Sequence, residues 1–131
     1  MSSIHSKNTK PELLLATELR NLGLKYRRYY SIDGKPDFAF PKEKVAVFCD
    51  GDFWHGNNWR IRGHKKLEDD LKTNKQFWIN KIKNNINRDK RVNIKLKKKK
   101  WRVLRFWESD IKQNTLKYAL RVKNIIERKR H

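Results

Sequence analysis

Leu15, Leu19 and Leu22 recur at i, i+4 and i+7, the spacing of one apolar helix face. Thr9-Lys10-Pro11-Glu12 precedes them and reads as a helix start, with Thr at the N-cap, Pro in the first turn and Glu three residues on. Gly23 ends the helix. Leu24 to Tyr30 predicts a first strand, with Tyr26 and Tyr29 set among Lys and Arg. Asp33-Gly34 marks a turn. Pro36 to Phe40 predicts a short apolar strand, Pro41-Lys42 a turn, and Lys44 to Cys49 (KVAVFC) the clearest buried strand. Gly51 to His64 is irregular. From 73 to about 96 the pattern is helical, with Trp78, Ile82, Ile86 and Asp89 on one face. Lys97 to Lys100 ends that helix and suits its negative C-terminal dipole. Trp101 to Trp107 (WRVLRFW) alternates as a strand does. Residues 110–128 close the chain as a helix, with Ile111, Leu116, Ala119, Leu120 and Ile125 in an imperfect stripe. The order is helix, three strands, helix, strand, helix. It predicts a single α/β domain with a mixed central sheet flanked by helices.

Composition sharpens this picture. The 131 residues carry 34 Lys and Arg against 14 Asp and Glu, a formal charge of +20. The 11% aromatic content, five Trp included, is more than disordered polyelectrolytes carry. No run approaches the ~18 apolar residues of a membrane span, and Met1 to Lys10 is too polar for a secretory leader. With a single cysteine, Cys49, a disulfide framework is excluded and a reducing, cytoplasmic location is expected. The excess charge points to a polyanion, with nucleic acid the first candidate and a membrane surface the weaker one.

The charge is uneven. Residues 1–59 hold nine basic and seven acidic residues, whereas 60–105 hold eighteen and four. Half of all the acids therefore sit in the least basic stretch. Carboxylates that face phosphate make sense when a divalent cation lies between them. Asp37, Asp50, Asp52 and His55 crowd the two central strands. Adjacent antiparallel strands bring paired side chains within about 5 Å, which places Asp37 and Asp50 in reach of one Mg²⁺. His55, with an ordinary pKa near 6.5, suits the removal of a proton from an attacking water. The competing reading is that Asp50 and Asp52 hold the turn at Gly51, Glu12 closes a capping box, and Asp89 pairs with a neighbouring cation. Zinc is disfavoured, because Cys49 has no second cysteine.

Ser6-Lys7-Asn8-Thr9-Lys10-Pro11-Glu12, Gly34-Lys35-Pro36-Asp37-Phe38 and Phe48-Cys49-Asp50-Gly51-Asp52-Phe53-Trp54-His55-Gly56 together resemble the very short patch repair (Vsr) endonucleases. Phe77-Trp78, Lys81-Ile82, Asn84, Arg88-Asp89 and Trp101-Arg102-Val103-Leu104 with Trp107-Glu108 continue the match in order, over roughly residues 4–110. The same core is shared by Vsr-like homing endonucleases with an EDxHD active-site pattern. The resemblance implies a PD-(D/E)xK-type, restriction-endonuclease-like core that hydrolyses DNA with Mg²⁺, two ions being possible. It implies that Asp37 binds the metal, that the backbone carbonyl of Cys49 is a second ligand, and that His55 is the base. Glu12 would hold metal-bound water, and Asp89 would orient the histidine. Phe53, Trp54 and Trp78 match aromatics that enter the base stack at a G:T mismatch. The family's zinc ligands match Asp52, Asn57, Trp59 and Ser109, so no structural zinc is expected. The residue after Cys49, often His in the repair enzymes, is Asp50, an added carboxylate for the metal.

The reading is therefore a Mg²⁺-dependent DNA endonuclease that grips phosphates with Lys97, Lys98, Lys99 and Lys100. It acts either at a mismatch or at a site in paired DNA, and a methyltransferase or repair partner is left open. The alternative is a non-catalytic DNA-binding module on a nuclease fold. A ribosomal-style RNA-binding protein fits the charge but not the clustered acids.

Overall fold

The computed structural model describes residues 9–52 and 76–130, with side chains from residue 79 in the second stretch. Helix α1 (Lys10–Asn21) begins where the capping residues predict, with Thr9 extended at the N-cap and Pro11 in the first turn. Leu22 closes it, and Gly23 takes the left-handed conformation (φ 79°) that glycine adopts without a Cβ penalty. Leu15 and Leu19 on its inner face are fully buried.

Three strands form one sheet in the order β1 (Phe38–Phe40), β2 (Val45–Asp50), β3 (Arg102–Trp107). β1 runs antiparallel to β2, with Phe38 opposite Val47. β3 runs parallel to β2, with Val45 opposite Arg102 and Asp50 opposite Trp107. A parallel pair needs a long crossover, and helix α2 (Gln76–Lys98) lies within it. Every residue of β2 is buried. That explains its continuous apolar run, since helices cover both of its faces. Val45, Val47, Cys49, Leu104 and Phe106 pack with α1 and the C-terminal helices, while Ala46, Phe48 and Val103 pack with Leu96 and Val92 of α2.

Two expected elements differ. The strand expected over residues 24–30 is absent, and only Arg27 makes an isolated antiparallel bridge to Ala39. The chain leaves the extended region at Tyr29, where φ is 50°. The helix expected over 110–128 is two helices, α3 (Glu108–Gln113) and α4 (Thr115–Arg130), broken at the non-helical Asn114. Asn114 Oδ1 accepts from the Lys117 N–H (3.3 Å) and so caps the second helix. The imperfect stripe in the sequence reflects that break.

Gly34 sits at φ 78° against the second sheet face, where a Cβ would stand 2.7 Å from Val92 Cγ1 and 3.2 Å from the Phe48 ring. Gly34→Ala therefore combines backbone strain with overpacking and is expected to cost about 2–3 kcal/mol. Urea unfolding checks this, and an unchanged midpoint would remove the close packing of the 32–35 turn under α2.

Candidate active site

The strand registers bring the acids to one end of the sheet. Because β1 is antiparallel to β2 and Phe38 faces Val47, Asp37 falls beside the end of β2. There Asp37 Oδ2 accepts from the Cys49 backbone N–H at 2.6 Å. Because β3 is parallel and Trp107 faces Asp50, the next residue, Glu108, emerges at the same end and opens α3. Glu12 arrives from the first turn of α1 and is fully buried.

A hydrogen-bonded network ties these groups together. Arg28 Nε donates to the Asp37 carbonyl (2.8 Å), and its Nη2 donates to Glu12 Oε1 (2.7 Å). The Tyr29 hydroxyl donates to the same Glu12 oxygen (2.6 Å). The Thr9 hydroxyl lies between two carboxylates, 3.1 Å from Glu12 Oε2 and 2.8 Å from Glu108 Oε2. It carries one proton and can donate to only one of them at a time. Glu12 thus takes part in helix capping and also stands in the acid cluster.

The electrostatics follow from this crowding. Burial pushes the Glu108 carboxyl above the ordinary carboxylate range, the Thr9 hydroxyl draws it back, and the charges of Glu12, Asp37 and Asp52 push it up again. Burial, and then Asp37, Glu12, Asp50 and Glu108, raise the Cys49 thiol well above its usual value. Cys49 is thus a buried apolar side chain, and its backbone is the part that meets Asp37.

A carboxyl with a raised folded-state pKa holds a proton that the unfolded chain has already released. Stability contributed by Glu108 is accordingly lost as pH rises from the ordinary carboxylate value through the raised one. Urea unfolding across that window is expected to show this decline, and Glu108→Gln is expected to flatten it. A slope unaffected by Glu108→Gln would contradict the crowding.

The structure places Asp50 differently from Asp37. Its carboxylate accepts from Arg105 Nη1 at 3.0 and 3.3 Å. The same Nη1 lies 3.6 Å from Asp89 Oδ1, while Arg105 Nε donates to Asn93 Oδ1 (2.8 Å). The guanidinium covers the Phe48 ring at 4.1 Å. Alternation along β2 accounts for the split, since Cys49 faces the α1 side and Asp50 the α2 side. Asp50 and Asp89 are thus brought together around Arg105, in a cleft of about 220 Å³ that both line.

Asp52 accepts from the Ser109 backbone N–H (3.1 Å) and hydroxyl (2.7 Å), tying the end of the β2 loop to the first turn of α3. Lys97 to Lys100 are exposed, and Lys99 reaches Asp33 (2.8 Å). They lie at the start of β3, one strand length from the acids, or about 17 Å at ~3.3 Å per residue. Phe53, Trp54, His55, Asn57 and Trp59 lie outside the described residues, as does the side chain of Trp78. The sequence points to no role for Glu108 or Arg28 and to no ion pair for Arg105. The signal for Glu108 was an acid directly following an alternating strand.

A family model described as DNA mismatch endonuclease Vsr matches residues 1–61. Type II nicking enzyme V.HpaIIP of Haemophilus parainfluenzae is 48% identical over 126 residues, which cover 95% of this chain and 86% of the relative. The chain belongs to the Vsr family of DNA endonucleases. Another Vsr relative, Type II nicking enzyme V.NmeDIP of Neisseria meningitidis serogroup C, is 51% identical over 130 residues, covering 98% of this chain and 84% of the relative. The DNA mismatch endonuclease Vsr of Escherichia coli (strain K12) is 35% identical over 109 residues, covering 82% of this chain and 66% of the relative. The mixed sheet with flanking helices is compatible with a Vsr nuclease fold.

Proposed function

We propose that this Vsr-family chain is a Mg²⁺-dependent endonuclease that nicks one strand of duplex DNA at a mismatch, on a PD-(D/E)xK-type core. The observation that carries this reading is the gathering of Glu12, Asp37 and Glu108 at one sheet end in a chain of charge +20. Such an arrangement crowds like charges around Glu108 and gains nothing for binding a polyanion. A cation between acids and phosphate reverses both penalties. The names of the relatives, nicking enzymes and a mismatch endonuclease, support the choice of reaction.

The donor set fits such an ion. The buried Asp37 carboxylate and the Cys49 carbonyl are hard oxygen donors, with Glu12 and Glu108 close behind. Among the described residues no three His, Cys, Asp or Glu side chains form a metal cage. Mg²⁺ keeps several waters and takes few protein carboxylates, so it does not require such a cage. When bound, the ion supplies positive charge against the phosphate and the departing oxygen.

The chain's own residues do the rest. Asp37 and the Cys49 carbonyl would hold the ion, and Glu12 would orient a water through its fixed carboxylate. His55 accepts a proton as water attacks phosphorus in line, and the bond to the 3′ oxygen breaks. Asp89 orients that histidine. Asp50, held by Arg105, is assigned to fixing α2 on the sheet, and a direct role in holding the ion is left to Asp37. Lys97, Lys98 and Lys100 reach flanking phosphates and supply affinity that does not depend on sequence. Phe53, Trp54 and Trp78 open the base stack near the cut.

The test is cleavage of duplexes that carry a single G:T mismatch or its G:C counterpart, in Mg²⁺ and in EDTA. The expected product is a nick in one strand of the G:T duplex in Mg²⁺ alone. Equal cutting of both duplexes would remove the mismatch reading, and cutting in EDTA would remove the metal.

A further inference from the structure

Residues 28 and 29 are consecutive, yet both side chains bond the same oxygen, Glu12 Oε1, at 2.7 and 2.6 Å. In a strand they would point to opposite faces. The left-handed turn at Tyr29 brings them to one side. Left-handed backbone in a bulky residue costs energy, and the surrounding structure must fix it. The lost strand is therefore what delivers two donors to a fully buried acid.

Arg28 does more than neutralise Glu12. Its planar guanidinium bonds the Glu12 carboxylate through Nη2 and the Asp37 backbone carbonyl through Nε. One rigid group thus spans the acid of α1 and the acid at the head of β1. The guanidinium also lies 4.6 Å from the Tyr29 and Phe38 ring centres, which fixes its plane. We infer that Arg28, with Tyr29, is a positioning residue that sets the separation and orientation of Glu12 relative to Asp37. The inference rests on the proposed function, in which those two acids serve one cation site. A lysine at 28 would keep the charge but lose the fork that reaches two acceptors at once.

The test compares Arg28→Lys and Tyr29→Phe with the parent protein, since both variants leave the site's charge unchanged. Two quantities are measured: the kcat and KM of duplex nicking, and Mn²⁺ binding to the DNA-free protein followed by electron paramagnetic resonance. Circular dichroism checks folding. Arg28→Lys is expected to lower kcat and Mn²⁺ affinity by about 10–100-fold, the usual effect of losing a group that orients a ligand, while KM for DNA holds. Tyr29→Phe, which keeps the ring under Arg28, is expected to move both quantities the same way by less. If Arg28→Lys does not fold, Tyr29→Phe decides. Parental kcat and Mn²⁺ affinity in the folded variants would overturn the inference and leave the proposed function standing. A parent protein that neither nicks DNA nor binds Mn²⁺ would remove the proposed function itself.

Discussion

Asp37→Asn is expected to abolish strand cleavage while leaving DNA binding and folding intact. The amide keeps an oxygen to accept from the Cys49 N–H, so the contact between β1 and β2 survives. What disappears is a buried negative charge near Glu12 and Glu108, and with it the group proposed to hold a cation against phosphate. Loss of a group that organises transition-state charge costs about 10²–10³-fold in rate. Removing one acid does nothing to weaken a polyanion complex, so affinity measured by gel shift should hold. With one fewer like charge nearby, Glu108 also shifts back towards the ordinary carboxylate range. Cleavage by Asp37→Asn at the parental rate would remove Asp37 from the chemistry.

The largest loss of stability is expected at Arg105. Its guanidinium holds Asp50, approaches Asp89, bonds Asn93 and covers Phe48. Arg105→Met fills part of the space but leaves Asp50 buried and close to a second carboxylate. Breaking a buried pair from one side costs about 3–5 kcal/mol, mostly through the charge left behind. The double variant Arg105→Met with Asp50→Asn should recover much of that loss, giving a clear coupling in a double-mutant cycle. Asp50→Asn alone is expected to nick DNA normally, in contrast to Asp37→Asn. Independent, additive effects of the two substitutions on urea unfolding would contradict the assignment of Asp50 to Arg105.

These two outcomes separate acids that the chain presents as near neighbours. Asp37 and Asp50 precede and end consecutive apolar strands, so sequence spacing alone puts both in reach of one ion. Which face each carboxylate takes depends on alternation along β2 and on a partner, Arg105, that lies 55 positions away in the chain. No local pattern announces that pairing. The same holds for Glu108, which joins Glu12 and Asp37 only because β3 runs parallel to β2 in one particular register.

Elements set by local chemistry were legible. The Thr9 cap, the stop at Gly23, the buried run of β2 and the long helix before Lys97 all follow from residue type and spacing. The strand expected over 24–30 was not found, because its alternating aromatic and basic residues serve another purpose. Arg28 and Tyr29 both turn to Glu12, a buried acid on a different element, and that tertiary demand outweighs strand propensity. The break at Asn114 could have been read from a capping residue inside an apolar stripe that was already irregular.

The most direct measurement is anomalous diffraction from crystals of this protein with a G:T duplex and saturating Mn²⁺. A manganese peak is expected on the Asp37 carboxylate and the Cys49 carbonyl, facing a DNA phosphate, with Asp50 still on Arg105. Duplex bound in place with no metal at Asp37 would contradict it.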